Sequence, residues 1–177
     1  GLGLDHFVKK AGGIDIIIGG PPCQAYSVAG RVRDENGMRD DYRNYLFEHY
    51  LNVVNRYKPL VFIFENVPGM LSAMPDGTPI TDLIEKGFES IGYEIINDLK
   101  KYAKIDASEY GVPQNRERLI IMGIRKDAYS NPQALLKDFY VNILPSYKVE
   151  RKMTVEGAIG DLTALNPIIN ENSSPRR

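Results

Sequence analysis

The 177-residue chain carries 22 basic and 23 acidic side chains, for a formal net charge of −1, and 43% of its residues are hydrophobic. This is the composition of about one ordinary globular domain; it excludes disordered, collagen-like and disulfide-dense chains, and only the local distribution of charge bears on nucleic-acid binding. A single cysteine, Cys23, excludes an internal disulfide and a multi-cysteine zinc site, and the apolar runs fall far short of the ~20 residues of a membrane span.

In chain order, the first residues lack the basic and apolar regions of a signal peptide, so a soluble cytoplasmic protein is expected. Residues 14–18 are rich in isoleucine and read as a strand, stopped by Gly19-Gly20-Pro21-Pro22, where the glycines let the backbone turn sharply. Residues 42–57 place Leu46, Tyr50, Val53, Val54 and Tyr57 on one helical face, and Lys58-Pro59 ends that helix. Residues 60–64 are apolar on both faces, which suits a central parallel strand. A second helix opens with Thr78 as N-cap and Pro79 at its first position. It carries Ile80, Leu83, Ile84, Phe88 and Ile91 and stops at Gly92. Residues 93–99 read as a more polar strand near an edge, and 119–122 as a fourth strand.

This alternation predicts an α/β fold with a mostly parallel sheet, helices on both faces and sites at the C-terminal ends of strands. The loops after Ile18 and Phe64 are therefore the places to look. Residues 1–147 read as one α/β portion and 148–177 as a linker or the start of a further segment.

Three segments carry chemistry. In Gly19-Gly20-Pro21-Pro22-Cys23-Gln24-Ala25-Tyr26-Ser27 the prolines stiffen a loop around Cys23, which is either a reactive thiol or a buried structural one. In Glu65-Asn66-Val67 a carboxylate follows five apolar residues. Burial there would raise its pKa and make it an acid near neutral pH; otherwise it caps the following turn. In Gln114-Asn115-Arg116-Glu117-Arg118 two arginines project to the same side of an extended segment. Residues 100–126 hold seven basic side chains against three acidic ones, a local basic patch or a solvated, ion-paired face.

The order Gly-Pro-Pro-Cys-Gln-x-Tyr-Ser, Glu-Asn-Val, Gln-x-Arg-x-Arg resembles the cytosine-C5 DNA methyltransferases, over roughly residues 14 to 125. Tyr26 stands where the family often has Phe. Arg43-Asn44-Tyr45-Leu46-Phe47 and the stretch from Thr154 to Leu162 are also similar to the family. The resemblance implies part of a Rossmann-like, S-adenosylmethionine-dependent methyltransferase sheet, with double-stranded DNA as partner and no metal. The expected setting is a bacterial restriction-modification system. It makes Cys23 the nucleophile at C6 of cytosine, Glu65 the donor at N3, and Arg118 the partner of O2, with Arg116 at O2 or a phosphate. The target nucleotide is expected to be flipped out, under a loop from Ala25 to Tyr42 that closes over the DNA. Ser27 and Arg31 are implied at phosphates, and Gln24 at the gap or bracing the loop. Asn66 and Gln114 are the remaining substrate-binding residues, and Pro22 and Leu46 the cofactor contacts.

The family's early cofactor motifs and its target-recognition region have no counterpart in this sequence. The expectation is therefore a fragment, one half of a split enzyme that needs an N-terminal half or second subunit, or a decayed gene product, less stable or self-associating when isolated. The alternatives are a tRNA cytosine-C5 methyltransferase and a catalytically silent subunit.

Overall fold

Helix α1 (Leu4–Ala11), absent from the sequence reading, has Asp5 in its first turn and Lys9 and Lys10 in its last, each complementing the helix dipole. It stops at Gly12, whose φ is +81°. It buries no residue; Asp5 instead accepts hydrogen bonds from Arg56 and from the Tyr57 hydroxyl (2.6 Å). The computed structural model describes residues 3–21, 45–74 and 77–162.

The expected first strand is β1 (Ile16–Gly19), and the first predicted helix is α2 (Tyr45–Tyr57). The central strand is β2 (Val61–Asn66). Helix α3 (Ile80–Ser90) begins one residue later than expected: Pro79 occupies the N-cap position and no side chain caps the helix, so the Thr78 cap is not made. Gly92, with φ +87°, is the anticipated stop. The strand predicted for 93–99 is only β3 (Tyr93–Ile95). It is cut short because Asp98 adopts a left-handed conformation (φ 59°) and accepts from the Lys101 amide, starting the single turn α4 (Leu99–Tyr102). Strands β4 (Lys104–Asp106) and β5 (Glu117–Arg125) complete the sheet, followed by α5 (Pro132–Asp138), a π-helical turn at Phe139–Ile143 and α6 (Val155–Ile159).

The α/β architecture stands, but the expectation of a mostly parallel sheet needs correction. Strand order is β1-β2-β5-β3, with β4 also on β5. Among the described residues only β1 and β2 pair in parallel; β5 runs antiparallel to β2, β3 and β4. The connection from Asp106 to Glu117 is too short for a helical crossover, so the chain reverses and inserts β5 between strands that all run the other way.

The register of this insertion builds the core. Phe62 lies opposite Gly123 and Phe64 opposite Ile121, all buried on one face. A Cβ on Gly123 would lie 2.1 Å from the Phe62 ring, so glycine is required by space. Phe88 of α3 stacks on Phe62 at 4.0 Å, and Tyr50 of α2 meets Phe62 and Phe64 edge-on. Tyr93 of β3 joins this face and donates to the Pro59 carbonyl at 2.5 Å; burial pushes its hydroxyl up to about 12.

One edge of β5 is shared by β3 at residues 123–125 and β4 at 117–119. The Tyr140 hydroxyl fills the gap: it accepts from the Met122 amide at 2.8 Å and donates to the Ile120 carbonyl at 2.9 Å. Burial pushes this hydroxyl up to about 12. Tyr140→Phe leaves the Met122 amide without a partner, and denaturant unfolding is expected to show a loss of about 1–3 kcal/mol.

Candidate active site

The site forms where β1 and β2 end side by side. Glu65 lies opposite Ile120 of β5, and Arg118 stands two residues further along the same face of β5. The Arg118 Nε lies 2.7 Å from Glu65 Oε1, and Arg118 Nη1 donates to its neighbour's carbonyl, Glu117 O, at 2.7 Å. The Glu65 side chain is 40% exposed and Arg118 22%. Of the two readings open from the sequence, a buried acid or a cap of the following turn, neither describes the contact observed: Glu65 sits at the rim of the sheet with a guanidinium against it. The sequence suggested both residues, and the antiparallel register brings them together.

Asn66, next along β2, is 4% exposed, and its polar atoms bond to backbone. Its Nδ2 donates to the Pro21 carbonyl at 3.2 Å and its Oδ1 accepts from the Val67 amide at 2.9 Å. It thus ties the start of the cysteine-bearing segment to the end of the central strand. Assigned from sequence to substrate binding, Asn66 is placed by the structure as a brace for Pro21.

Gly19 and Gly20 were expected to supply a sharp turn. Neither is among the positive-φ glycines. Their constraint is space: an added Cβ would lie 2.6 Å from the Tyr50 ring at Gly19, and 2.6 Å from Glu65 Oε2 at Gly20. Tyr50 is a site-supporting residue that sequence periodicity showed only as part of a helical stripe. Its hydroxyl donates to the Ile63 carbonyl at 2.9 Å and reaches the Ile17 carbonyl at 3.4 Å, joining β1 to β2 just below the site. Burial raises its pKa. No sequence pattern marks a tyrosine hydroxyl aimed at strand carbonyls.

The other candidates divide in two. Arg116 and Gln114 are exposed in the segment before β5, and their side chains bond to no other described residue. Arg116 contributes its carbonyl, which accepts from Ala107 at 2.9 Å. Leu46 is half-buried in the first turn of α2. Pro22, Cys23, Gln24, Ser27 and Arg31, with the loop from Ala25 to Tyr42, lie outside the described residues.

The basic stretch 100–126 does not form one patch. Arg125 and Lys126 lie at the far end of β5 from Arg118, some ~25 Å away at strand rise, and pair with Asp127 (2.6 Å) and Glu89 (3.1 Å). Lys104 pairs with Glu117 at 2.7 Å. Residues 148–152, assigned to the linker, fasten onto the turn between β4 and β5. Val149 donates to the Glu109 carbonyl at 2.8 Å, Lys148 pairs with Glu109 at 2.5 Å, and Lys152 reaches Ser108 Oγ (2.7 Å) and Asp106 (3.2 Å). Among the described residues, no group of three or more His, Cys, Asp or Glu is placed to hold a metal, and no helix is long and apolar enough to cross a membrane.

The Ser108 amide and hydroxyl, followed by Lys152, hold the Asp106 carboxyl below its ordinary value of 3.8. A lowered carboxyl pKa stabilises the folded turn above the ordinary value, and that contribution is lost as pH falls through the folded value. The Ser108 amide resonance is therefore expected to hold steady from pH 7 to about 5 and to move below about 4, and Asp106→Asn is expected to abolish the movement.

Comparison with known proteins gives the geometry its context. Residues 5–174 match the family model for C-5 cytosine-specific DNA methylases. The chain is 42% identical over 121 residues to a type II methyltransferase of Bacillus paralicheniformis, M.Bpa9945I, covering 67% of this chain and 27% of the relative. It is 39% identical over 150 residues to M.XorII of Xanthomonas oryzae, covering 84% and 30%. A solved structure described as a prophage-encoded DNA modification methyltransferase (E. coli) superposes with a TM-score of 0.60 at 28% identity, covering 93% of this chain and 40% of its own. The chain thus spans less than half the length of these relatives. By the family match, its identity with these relatives and the order of its motifs, the chain belongs to the C-5 cytosine-specific DNA methylase family.

Proposed function

We propose that this chain carries the base-handling chemistry of a DNA cytosine-C5 methyltransferase, acting on a cytosine flipped out of double-stranded DNA. The observation that carries the reading is the Glu65–Arg118 pair, open to solvent at the end of the central strand and adjoining the braced Pro21.

C5 of cytosine is a weak nucleophile until a nucleophile adds to C6. Cys23 is the chain's one thiol and follows Pro21 by two residues, at most about 7 Å of chain. Its thiolate forms the bond to C6, and the ring takes up the electron pair. Glu65, having taken a proton from solvent, meets N3 and donates it to neutralise this charge, while Arg118 meets O2 and keeps the carboxyl group in place. After methylation the C5 proton leaves to solvent, the electron pair it leaves behind expels the Cys23 thiolate, and N3 returns its proton to Glu65. Arg116, exposed two residues before Arg118, serves O2 or a backbone phosphate, and Gln114, Gln24, Ser27 and Arg31 the surrounding DNA.

S-adenosylmethionine, when bound, supplies the methyl group. Of its assigned contacts, the half-buried Leu46 suits an apolar wall for such a cofactor, and Pro22 precedes the nucleophile.

The test is covalent trapping. A duplex carrying 5-fluorocytosine has no C5 proton to lose, so a methylated adduct stays on the thiol. With S-adenosylmethionine present, the intact mass of the chain is expected to rise by one oligonucleotide, Cys23→Ser to give no adduct, and Glu65→Gln to react at least ~10-fold more slowly. Absence of the adduct in the unsubstituted chain contradicts the reading.

A further inference from the structure

The glycine at position 20 is not explained by its backbone. Among the described residues, glycines with positive φ are Gly12, Gly13, Gly77, Gly92 and Gly111, so Gly20 has a conformation open to other residues. What it lacks is room. A Cβ there would lie 2.6 Å from Glu65 Oε2, 3.5 Å from the Glu65 carbonyl oxygen and 3.6 Å from the Glu65 Cβ. On the other side of the same carboxylate, Oε1 receives Arg118 Nε at 2.7 Å. The carboxylate is therefore held between a guanidinium and a bare Cα.

Gly20 is also held on both sides. The preceding residue, Gly19, lies against the Tyr50 ring, which is locked among Phe62, Phe64 and Phe88. The following residue, Pro21, has its carbonyl held by Asn66. With both neighbours anchored, a methyl group added at position 20 has little freedom to retreat. The atom it meets is the far end of a flexible side chain, so Glu65 moves instead.

We propose that Gly20 is a positioning residue: its bare Cα is the wall that fixes the Glu65 carboxylate against Arg118. Its effect on the reaction rests on the reading given under Proposed function; its effect on the carboxylate does not. The two glycines then differ in kind. A methyl group at Gly19 meets a packed aromatic ring and costs the fold. A methyl group at Gly20 meets a carboxylate and costs the site.

The test compares Gly20→Ala with Gly19→Ala in the full chain. The carboxyl carbon resonance of Glu65, assigned by its loss in Glu65→Gln, is followed without DNA or cofactor. Gly20→Ala is expected to move that resonance in the same direction as Arg118→Ala does, with a thermal midpoint within about 3 °C of the unsubstituted chain. Gly19→Ala is expected to lower the midpoint by more, and Tyr50→Leu to recover part of that loss. In the trapping assay Gly20→Ala is expected to slow adduct formation by about 10- to 100-fold with the DNA Kd within about twofold. An unmoved Glu65 resonance overturns the proposal, as does a melting loss as large as that of Gly19→Ala. A moved resonance with an unchanged trapping rate overturns its functional part. If the unsubstituted chain traps nothing, the methyltransferase reading fails, and the resonance alone decides whether Gly20 is the wall.

Discussion

The antiparallel pairing of β5 with β2 is the constraint on which the rest of this structure depends. Its six-residue register sets Gly123 beneath the Phe62 ring, which closes the aromatic core. The same register sets Arg118 diagonally across from Glu65 on the opposite face. A slip of one residue would turn Arg118 into the core and Leu119 out to solvent, because strand side chains alternate. Core and site are thus two faces of one ladder, and neither tolerates a change of register without the other.

The site is supported from below by groups that touch no substrate in the proposed reaction. Tyr50 links the carbonyls of β1 and β2, and Asn66 holds Pro21. These are partly buried hydrogen bonds to backbone, costly to leave unmade, so they fix where the chain emerges before the cysteine-bearing segment. In the proposed reaction the Glu65 carboxyl group is held between a cation, Arg118, and the bare Cα of Gly20. An exposed, ion-paired Glu65 fits that arrangement better than a carboxyl group sunk in apolar surroundings.

Much of this was legible in the sequence, for reasons that also explain what was not. Strands β1, β2 and β5 announced themselves through β-branched and apolar runs, and helices α2 and α3 through stripes such as Ile80, Ile84 and Phe88. Hydrophobic pattern carries no strand direction, so the reversal at β5 is not visible in it, and the alternation of strands and helices points only to a mostly parallel sheet. Helix α1 escaped because it buries nothing and is anchored by Asp5 to residues about fifty positions away. Residues 97–99 looked like strand until Asp98 took a left-handed turn. Glu65 and Arg118 were named from their motifs, but their contact depends on a cross-strand register that no local signal encodes. Glycines at 19 and 20 suggested a turn, where the folded chain shows two close approaches.

The central claim is that Glu65 and Arg118 act as one unit rather than as two independent contacts. The most direct test is a double-mutant cycle on methyl transfer to duplex DNA, with Glu65→Gln, Arg118→Ala and the pair combined. A coupled unit predicts strong non-additivity, the double variant being scarcely slower than the slower single one. Losses that add, each substitution costing as much in the presence of the other as alone, would contradict the account.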